Sequence, residues 1–222
     1  MSSPDKYTPA PENPLDAFNN GLMSMAIGAL RLATAEQYRS THDSLTGALN
    51  RDGFNEYLET CEPPKAVLVI DGDEMKRIND TLGHPRGDDF IKDTYLVARA
   101  SVRPGDVVAR IGGDEFAIVL NEEPREFENN GKTRIKNQIS TTPAELIILA
   151  KKRFKHNTRQ LINNPKNADL VKNNISFGIS VGGAVWQEGM NADEVIKDAD
   201  SDMYLNKYLQ RNNIDDLEAE PI

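Results

Sequence analysis

Apolar positions along the chain fall into helix and strand periods. From Leu15 they recur every three or four residues, at Leu15, Phe18, Leu22, Met25, Ala29 and Leu32. This spacing predicts a helix over 15–39 with the seam of a short coiled coil. It also suits an amphipathic helix packed on its own domain, and Gly21 and Gly28 weaken the helix. Residues 43–60 read as a loop and then a helix, with Asn50 as its N-cap. Ala66 to Ile70 is a continuous apolar run, as in a strand buried on both faces. Phe90, Ile91, Tyr95, Val97 and Ala98 give 88–101 a helical pattern. Two apolar runs, 106–111 and 115–120, flank Gly112 and Gly113 and read as a β-hairpin.

Residues 121–141 are polar, carry both signs of charge and look like a long surface insertion. Thr142, Pro143 and Glu145 form a capping box with proline at the first helical position, so a helix runs from there to about Ile162. Ile175 to Trp186 reads as a strand despite Gly178, Gly182 and Gly183. Asn191 caps a last helix reaching about Leu209. Residues 1–14, with four prolines, read as a disordered leader, and 214–222 as an acidic tail. From residue 66 the order is β, α, hairpin, α, β, α. That predicts an α/β sheet with helices packed on it, not a purely parallel Rossmann sheet. Neither GxxxxGK[ST] nor GxGxxG occurs.

Composition narrows the function. With 38% hydrophobic and 27% charged residues, 222 residues suffice for one globular domain and an extension. The net charge of −9 opposes nucleic-acid backbones and anionic membranes. A single nucleotide, held through a local basic group or a metal, remains compatible with it. One cysteine, Cys61, excludes an internal disulfide and fits a reducing compartment. Leu22 to Ala35, the most apolar stretch, is interrupted by Gly28 and Arg31 and is too short to span a bilayer. No secretory leader is visible. The expected location is the cytoplasm, without membrane insertion.

Asp71 follows the buried strand, and Asp114 and Glu115 stand at the hairpin tip. If the hairpin lies beside that strand, three carboxylates converge at one sheet edge. Hard oxygens so placed suit Mg²⁺, and two such ions can clamp an in-line phosphoryl displacement. Asp71 and Asp114 serve equally as ordinary turn residues. Lys207 and Arg211, four apart, share a helix face that fits a phosphate clamp or a solvated cationic surface. Asn79 and Asp88 frame a Gly83/Gly87 loop; an amide and a carboxylate can read a guanine edge, or simply shape the loop. His84 reads as a structural hydrogen bonder, and no Ser or Cys partner for a hydrolytic triad is evident.

The run from Arg110 to Phe116, RIGGDEF, resembles the signature loop of the GGDEF family, the diguanylate cyclases. The resemblance extends along the chain. Residues 43–51 (DSLTGALNR) are similar to the family's DxLTGLxNR. Residues 71–80 (DGDEMKRIND) resemble DxDxFKxxND, and 83–88 (GHPRGD) resemble GHxxGD. Residues 175–180 (ISFGIS) resemble its SxGxS strand, and 199–212 its ADxxxYxxKxxGRN terminus. Together these cover about residues 40–213 in the family's order.

The resemblance implies a palm-like fold with a central, mostly antiparallel sheet flanked by helices, preceded by an N-terminal helix. It implies condensation of two GTP to cyclic di-GMP with release of two pyrophosphates. Asp71 and Asp114 would ligate Mg²⁺ (or Mn²⁺) with the Gly72 carbonyl, and Glu115 would add a ligand or assist deprotonation of the 3′-hydroxyl. Asn79 and Asp88 would read guanine. Lys76, Lys207 and Arg211 would hold phosphates, Arg110 would approach them, and Gly112 and Gly113 would leave the nucleotide room. Each subunit would hold one GTP, so a homodimer would be required, with helix 15–39 as a dimer-forming or signalling element. Arg103 and Asp106 match an RxxD site for inhibition by product, with Lys151, Lys152 and Arg153 as candidates for its second cation. Met75 replaces the family's Phe, Gly72 a bulkier apolar residue and Gln210 a glycine. Rival readings are a nucleotide receptor that has lost catalysis, a cyclase with relaxed base choice, and an interaction domain working through helix 15–39.

Overall fold

The computed structural model describes residues 14–62, 65–121, 126–129, 132–135 and 142–211, with backbone alone at 14–22, 24, 28, 126–129, 132–135, 210 and 211. The chain divides between Ser40 and Thr41 into two compact units. The first carries helix α1 (Pro14–Thr41). Its seam residues with described side chains, Met25, Ala29 and Leu32, are exposed.

The second unit holds α2 (Arg51–Glu59), β1 (Lys65–Gly72), α3 (Met75–Leu82), α4 (His84–Ser101), β2 (Val107–Arg110) and β3 (Glu115–Leu120). β4 (Glu126–Asn129), β5 (Lys132–Ile135), α5 (Pro143–Ile162), a 3-10 turn (Pro165–Asn167), α6 (Ala168–Lys172), β6 (Ile179–Trp186) and α7 (Ala192–Arg211) follow. The main sheet has the order β2-β3-β1-β6, antiparallel throughout, and β4 and β5 pair separately. It is the expected antiparallel sheet flanked by helices.

β1 explains its own unbroken apolar run. Alternate side chains point to opposite faces. Ala66, Leu68 and Ile70 enter a core with Phe90, Ile118 and Phe154. Val67 packs with Phe54, Val119, Trp186 and Val195, and Val69 with Ala199 and Met203. Both faces are covered, so no polar alternation survives. The expected caps form. The Asn50 side chain accepts from Gly53 N at 2.8 Å, and Thr142 and Glu145 cap α5 reciprocally.

β6 is an edge strand closed by α7. Gly182 permits the approach, because a Cβ there would run into the backbone of Ala199 and Met203. Asp202 accepts from Gly183 N at 2.7 Å, and Asn206 Nδ2 donates to the Val181 carbonyl at 3.0 Å. These contacts satisfy edge groups and seat α7 on the sheet.

Several sequence expectations need correction. The loop expected to hold Asn79 and Asp88 is two helices hinged at Gly83, whose φ is 87°. α4 starts at His84 rather than 88, since Pro85 in a first turn forfeits no hydrogen bond. The strand expected from Ile175 starts at Ile179. Its partner β1 ends at Gly72, opposite Ile179, and the chain then turns into α3. Beyond Gly72, Asp73 N still reaches this segment, donating to the Gly178 carbonyl at 3.0 Å, and Ile175 and Phe177 fill the core instead. Asp71 lies within β1, not after it. The 121–141 insertion contains the β4–β5 ribbon. Leader residues 1–13, the rest of the insertion and the 214–222 tail lie outside the described residues. Among the described residues no helix is long and apolar enough to cross a membrane.

Candidate active site

Strand register assembles the site. Pairing of β1 with β3 puts Asp71 opposite Glu115, and pairing with β6 puts it opposite Ser180. Gly72 N donates to the Asp114 carbonyl at 3.2 Å. An open pocket of about 390 Å³ lies here, with Asp71, Gly72, Lys76, Asp114 and Lys207 in its walls.

Lys207 reaches from α7 to ion-pair with Asp71, and it stands 3.3 Å from Asp73. Burial pulls the ammonium pKa down, but the two carboxylates outweigh it and hold Lys207 above its ordinary value. Asp73 also accepts from Ser180 Oγ at 2.9 Å, yet burial keeps its pKa raised. Asp114 is raised as well, first by burial and then by the charges of Asp71 and Glu115. Lys207 alone leaves this negative charge incompletely compensated. Asp73 and Ser180 had entered the sequence reading only as letters of the 71–80 and 175–180 motifs. The signal was the i, i+2 period, which returns Asp73 to the side of Asp71.

Among the described residues, no three His, Cys, Asp or Glu side chains gather closely enough to hold a metal alone. Glu115 folds its carboxylate over Gly112, where a Cβ would collide with it, and Gly113 faces open space. Asp71, Asp114 and the Gly72 carbonyl supply hard oxygens, and the charge that raises Asp114 is what a divalent cation relieves. This set fits Mg²⁺, which takes one or two protein carboxylates and completes its shell with water and substrate phosphates.

The glycine turn is braced from outside the pocket. Arg110 Nη1 bonds Asp43 at 2.9 Å, while Nε and Nη2 donate to the Gly113 carbonyl at 3.1 and 2.7 Å. Arg51 donates to the Ile111 carbonyl. Asp43 further accepts from Thr46 N at 2.9 Å and Thr46 Oγ1 at 2.6 Å. Burial pushes its carboxyl up, but Thr46 and Arg110 together hold it below the usual value. Arg110 is thus committed to the turn in this structure. Asp43 and Arg51 had entered the sequence reading only as motif letters.

Asn79 on α3 meets α4 at Gly87, where a Cβ would strike Asn79 Oδ1. That oxygen is buried and has no hydrogen-bond partner. Asp88, next along α4, is exposed, as is Lys76 at the pocket wall. Arg211 ends α7, and its side chain lies outside the described residues.

The family model described as "Diguanylate cyclase, GGDEF domain" matches residues 40–153, just over half of the chain. The chain belongs to the GGDEF family. It is 31% identical over 199 residues to Probable diguanylate cyclase DgcT of Escherichia coli K12, covering 86% of this chain and 38% of that protein. It is 45% identical over 87 residues to the cyclic di-GMP phosphodiesterase NbdA of Pseudomonas aeruginosa, covering 36% of this chain and 11% of NbdA. The chain thus spans less than half the length of either relative. The coiled coil and GGDEF domain of DgcB from Caulobacter crescentus, solved with c-di-GMP, superposes with a TM-score of 0.66 at 20% identity, over 88% of this chain and 95% of that one. This likeness shows the shared fold.

The GGDEF domain carries its RxxD residues on a tight turn before β2. Asp106 is buried and accepts from Arg103 N at 2.7 Å and Asn121 N at 2.9 Å. Arg99 donates to the carbonyls of Asp106 and Arg103 at 2.8 and 3.1 Å. A cleft beside the turn is lined by Arg103, Asp106, Leu149 and Arg153. Of the three candidate cations on α5, Lys151, Lys152 and Arg153, Arg153 faces this cleft, while Lys151 pairs with Asp202 at 2.5 Å.

Proposed function

We propose that this GGDEF domain is a cytoplasmic diguanylate cyclase that condenses two GTP into cyclic di-GMP and releases two pyrophosphates. The observation that carries this reading is the meeting of Asp71, Asp114 and Lys207 at one pocket. Asp71, Asp114 and the Gly72 carbonyl would hold Mg²⁺, or Mn²⁺ in its place. When bound, the metal lowers the pKa of the attacking hydroxyl and neutralises charge developing on the phosphates. The 3′-oxygen of each GTP bonds to the α-phosphorus of the other, and in each of the two displacements pyrophosphate departs with the electrons of the broken P–O bond. Glu115, exposed beside the pocket, takes the hydroxyl proton. Lys76, Lys207 and Arg211 hold the triphosphate and offset its charge. Asn79 and Asp88 read guanine, the exposed Asp88 carboxylate accepting from the base N–H groups. Arg110 keeps the turn in place from behind, and Gly112 and Gly113 leave the nucleotide room.

One such pocket serves one GTP, so a second copy presents the other. Dimerisation then supplies the proximity on which the reaction depends. We assign α1 to that contact, so removal of residues 1–39 lowers specific activity at low protein concentration. Specific activity that is indifferent to both deletion and dilution contradicts this. Arg103 and Asp106, with Arg153 as second cation, form the site at which product inhibits.

Because a protein named as a cyclic di-GMP phosphodiesterase, NbdA, shares 45% identity over 87 residues, a second reading is a domain that binds nucleotide without forming cyclic di-GMP. The complete set of Asp71, Asp114 and Glu115 argues against it. The test is incubation of purified protein with GTP and Mg²⁺, identification of products by mass spectrometry, and an Asp114→Ala control. Cyclic di-GMP from the wild type alone supports the cyclase. No product, with cyclic di-GMP still bound, supports the receptor.

A further inference from the structure

The first turn of α4 contains Pro85 but has no side-chain cap, and Gly83 precedes it with φ 87°. Yet Asp88 follows directly on this turn, and Gly87 within it packs against Asn79. Arg86, only 15% exposed, ties the turn down. Its Nε donates to Asp169 Oδ2 at 2.8 Å, and its Nη2 to Asp169 Oδ1 at 3.2 Å and Asn167 Oδ1 at 2.7 Å. The acceptors are themselves held. Asn167 is buried and donates to the Leu161 carbonyl at 2.8 Å, and Asp169 accepts from Leu170 N at 2.9 Å. A planar guanidinium forked on a carboxylate fixes direction as well as distance. Two turns along the same face of α4, Asp93 pairs with Lys166. The helix offers a cation and then an anion, and the 165–169 segment answers each with the opposite charge. Sliding or rotating α4 against that segment breaks both pairs.

We propose that Arg86 is a positioning residue for base selection: its fork to Asp169 and Asn167 sets the rotation of the first turn of α4, and so the direction of Asp88 and the seat of Asn79. This rests on the reading of Asn79 and Asp88 as the guanine contacts. Successive helix residues are about 100° apart around the axis, so locking residue 86 also locks residue 88.

The test uses the full chain with Mg²⁺. Arg86→Gln and Asp169→Asn each raise KM for GTP roughly tenfold and leave kcat within about twofold, because a displaced reader weakens binding before chemistry. Discrimination between GTP and ITP, which lacks the 2-amino group, narrows in both. The double variant is no worse than either single one, since both remove the same pair. Arg86→Lys, which keeps the charge without the fork, falls between. Lys166→Gln loosens the same segment further along; it lowers the unfolding temperature and leaves KM unchanged. Unchanged KM in Arg86→Gln and Asp169→Asn, or an equal rise in Lys166→Gln, overturns the assignment. Equilibrium binding of GTP separates two failures. A wild type that binds no GTP overturns the guanine reading and this proposal with it. A wild type that binds GTP no more tightly than Arg86→Gln overturns the role of Arg86 alone.

Discussion

Asp43 and Asp114 flank the same glycine turn, and the fold treats them in opposite ways. Asp43 accepts from Thr46 and from Arg110, and its carboxyl is held below the ordinary value despite burial. Asp169, forked to Arg86, is likewise lowered. Asp114 faces Asp71 and Glu115 in a half-buried pocket and is pushed up, as is Asp73. One set of carboxylates is paired to build the scaffold. The other is gathered with too little positive charge, a state the scaffold must enforce. The difference separates residues that hold the turn from residues the turn exists to present.

The largest effect is expected at the strained set. Asp114→Asn keeps the shape but removes the charge, and cyclase activity in Mg²⁺ falls by about a thousandfold or more. Lys207→Met comes next, with a loss of roughly a hundredfold in kcat/KM for GTP, the expected outcome if this ammonium offsets triphosphate charge as proposed. On the scaffold side, Asp43→Asn breaks the Arg110 pair. Unfolding in urea shows a loss of about 1–2 kcal/mol, as for a charge-assisted hydrogen bond, and activity drops far less than in Asp114→Asn. Equal activity losses at the two positions erase the distinction.

These contrasts were only partly legible in the sequence. The β1 run, the Asn50 cap and the capping box at Thr142 were readable because each is a local pattern. The meeting of Asp71 and Asp114 at one pocket needed only the guess that the hairpin lies beside β1, whereas the Glu115 carboxylate folds over Gly112 and completes no cluster of three among the described residues. α3, with 8 residues, and α6, with 5, are too short to show a helical period. The Arg86–Asp169 pair joins positions 83 apart in the chain, which no local pattern reports. The resemblance placed Arg110 near the phosphates, while the Asp43 that holds it lies 67 positions away in the chain.

The smallest expected effect concerns pH, in metal-free protein. Asp43 has a folded pKa below 3.8, so its stabilisation is complete above 3.8 and is lost as pH falls through the lower folded value. Asp114 has a folded pKa above 3.8. Its ionised form costs stability, and the cost disappears as pH falls through that higher value. The stability gap between wild type and Asp114→Asn therefore closes at higher pH than the gap between wild type and Asp43→Asn. Urea titrations at a series of pH values measure both.

The most direct measurement of the central claim is unfolding of metal-free Asp114→Asn at neutral pH, alongside its activity with GTP and Mg²⁺. The expected result is an inactive protein that is more stable than wild type, by roughly 0.5 kcal/mol because solvent screens a half-buried group. A variant that is less stable than wild type, or still active, contradicts the account: Asp114 would then be one more scaffold carboxylate, like Asp43.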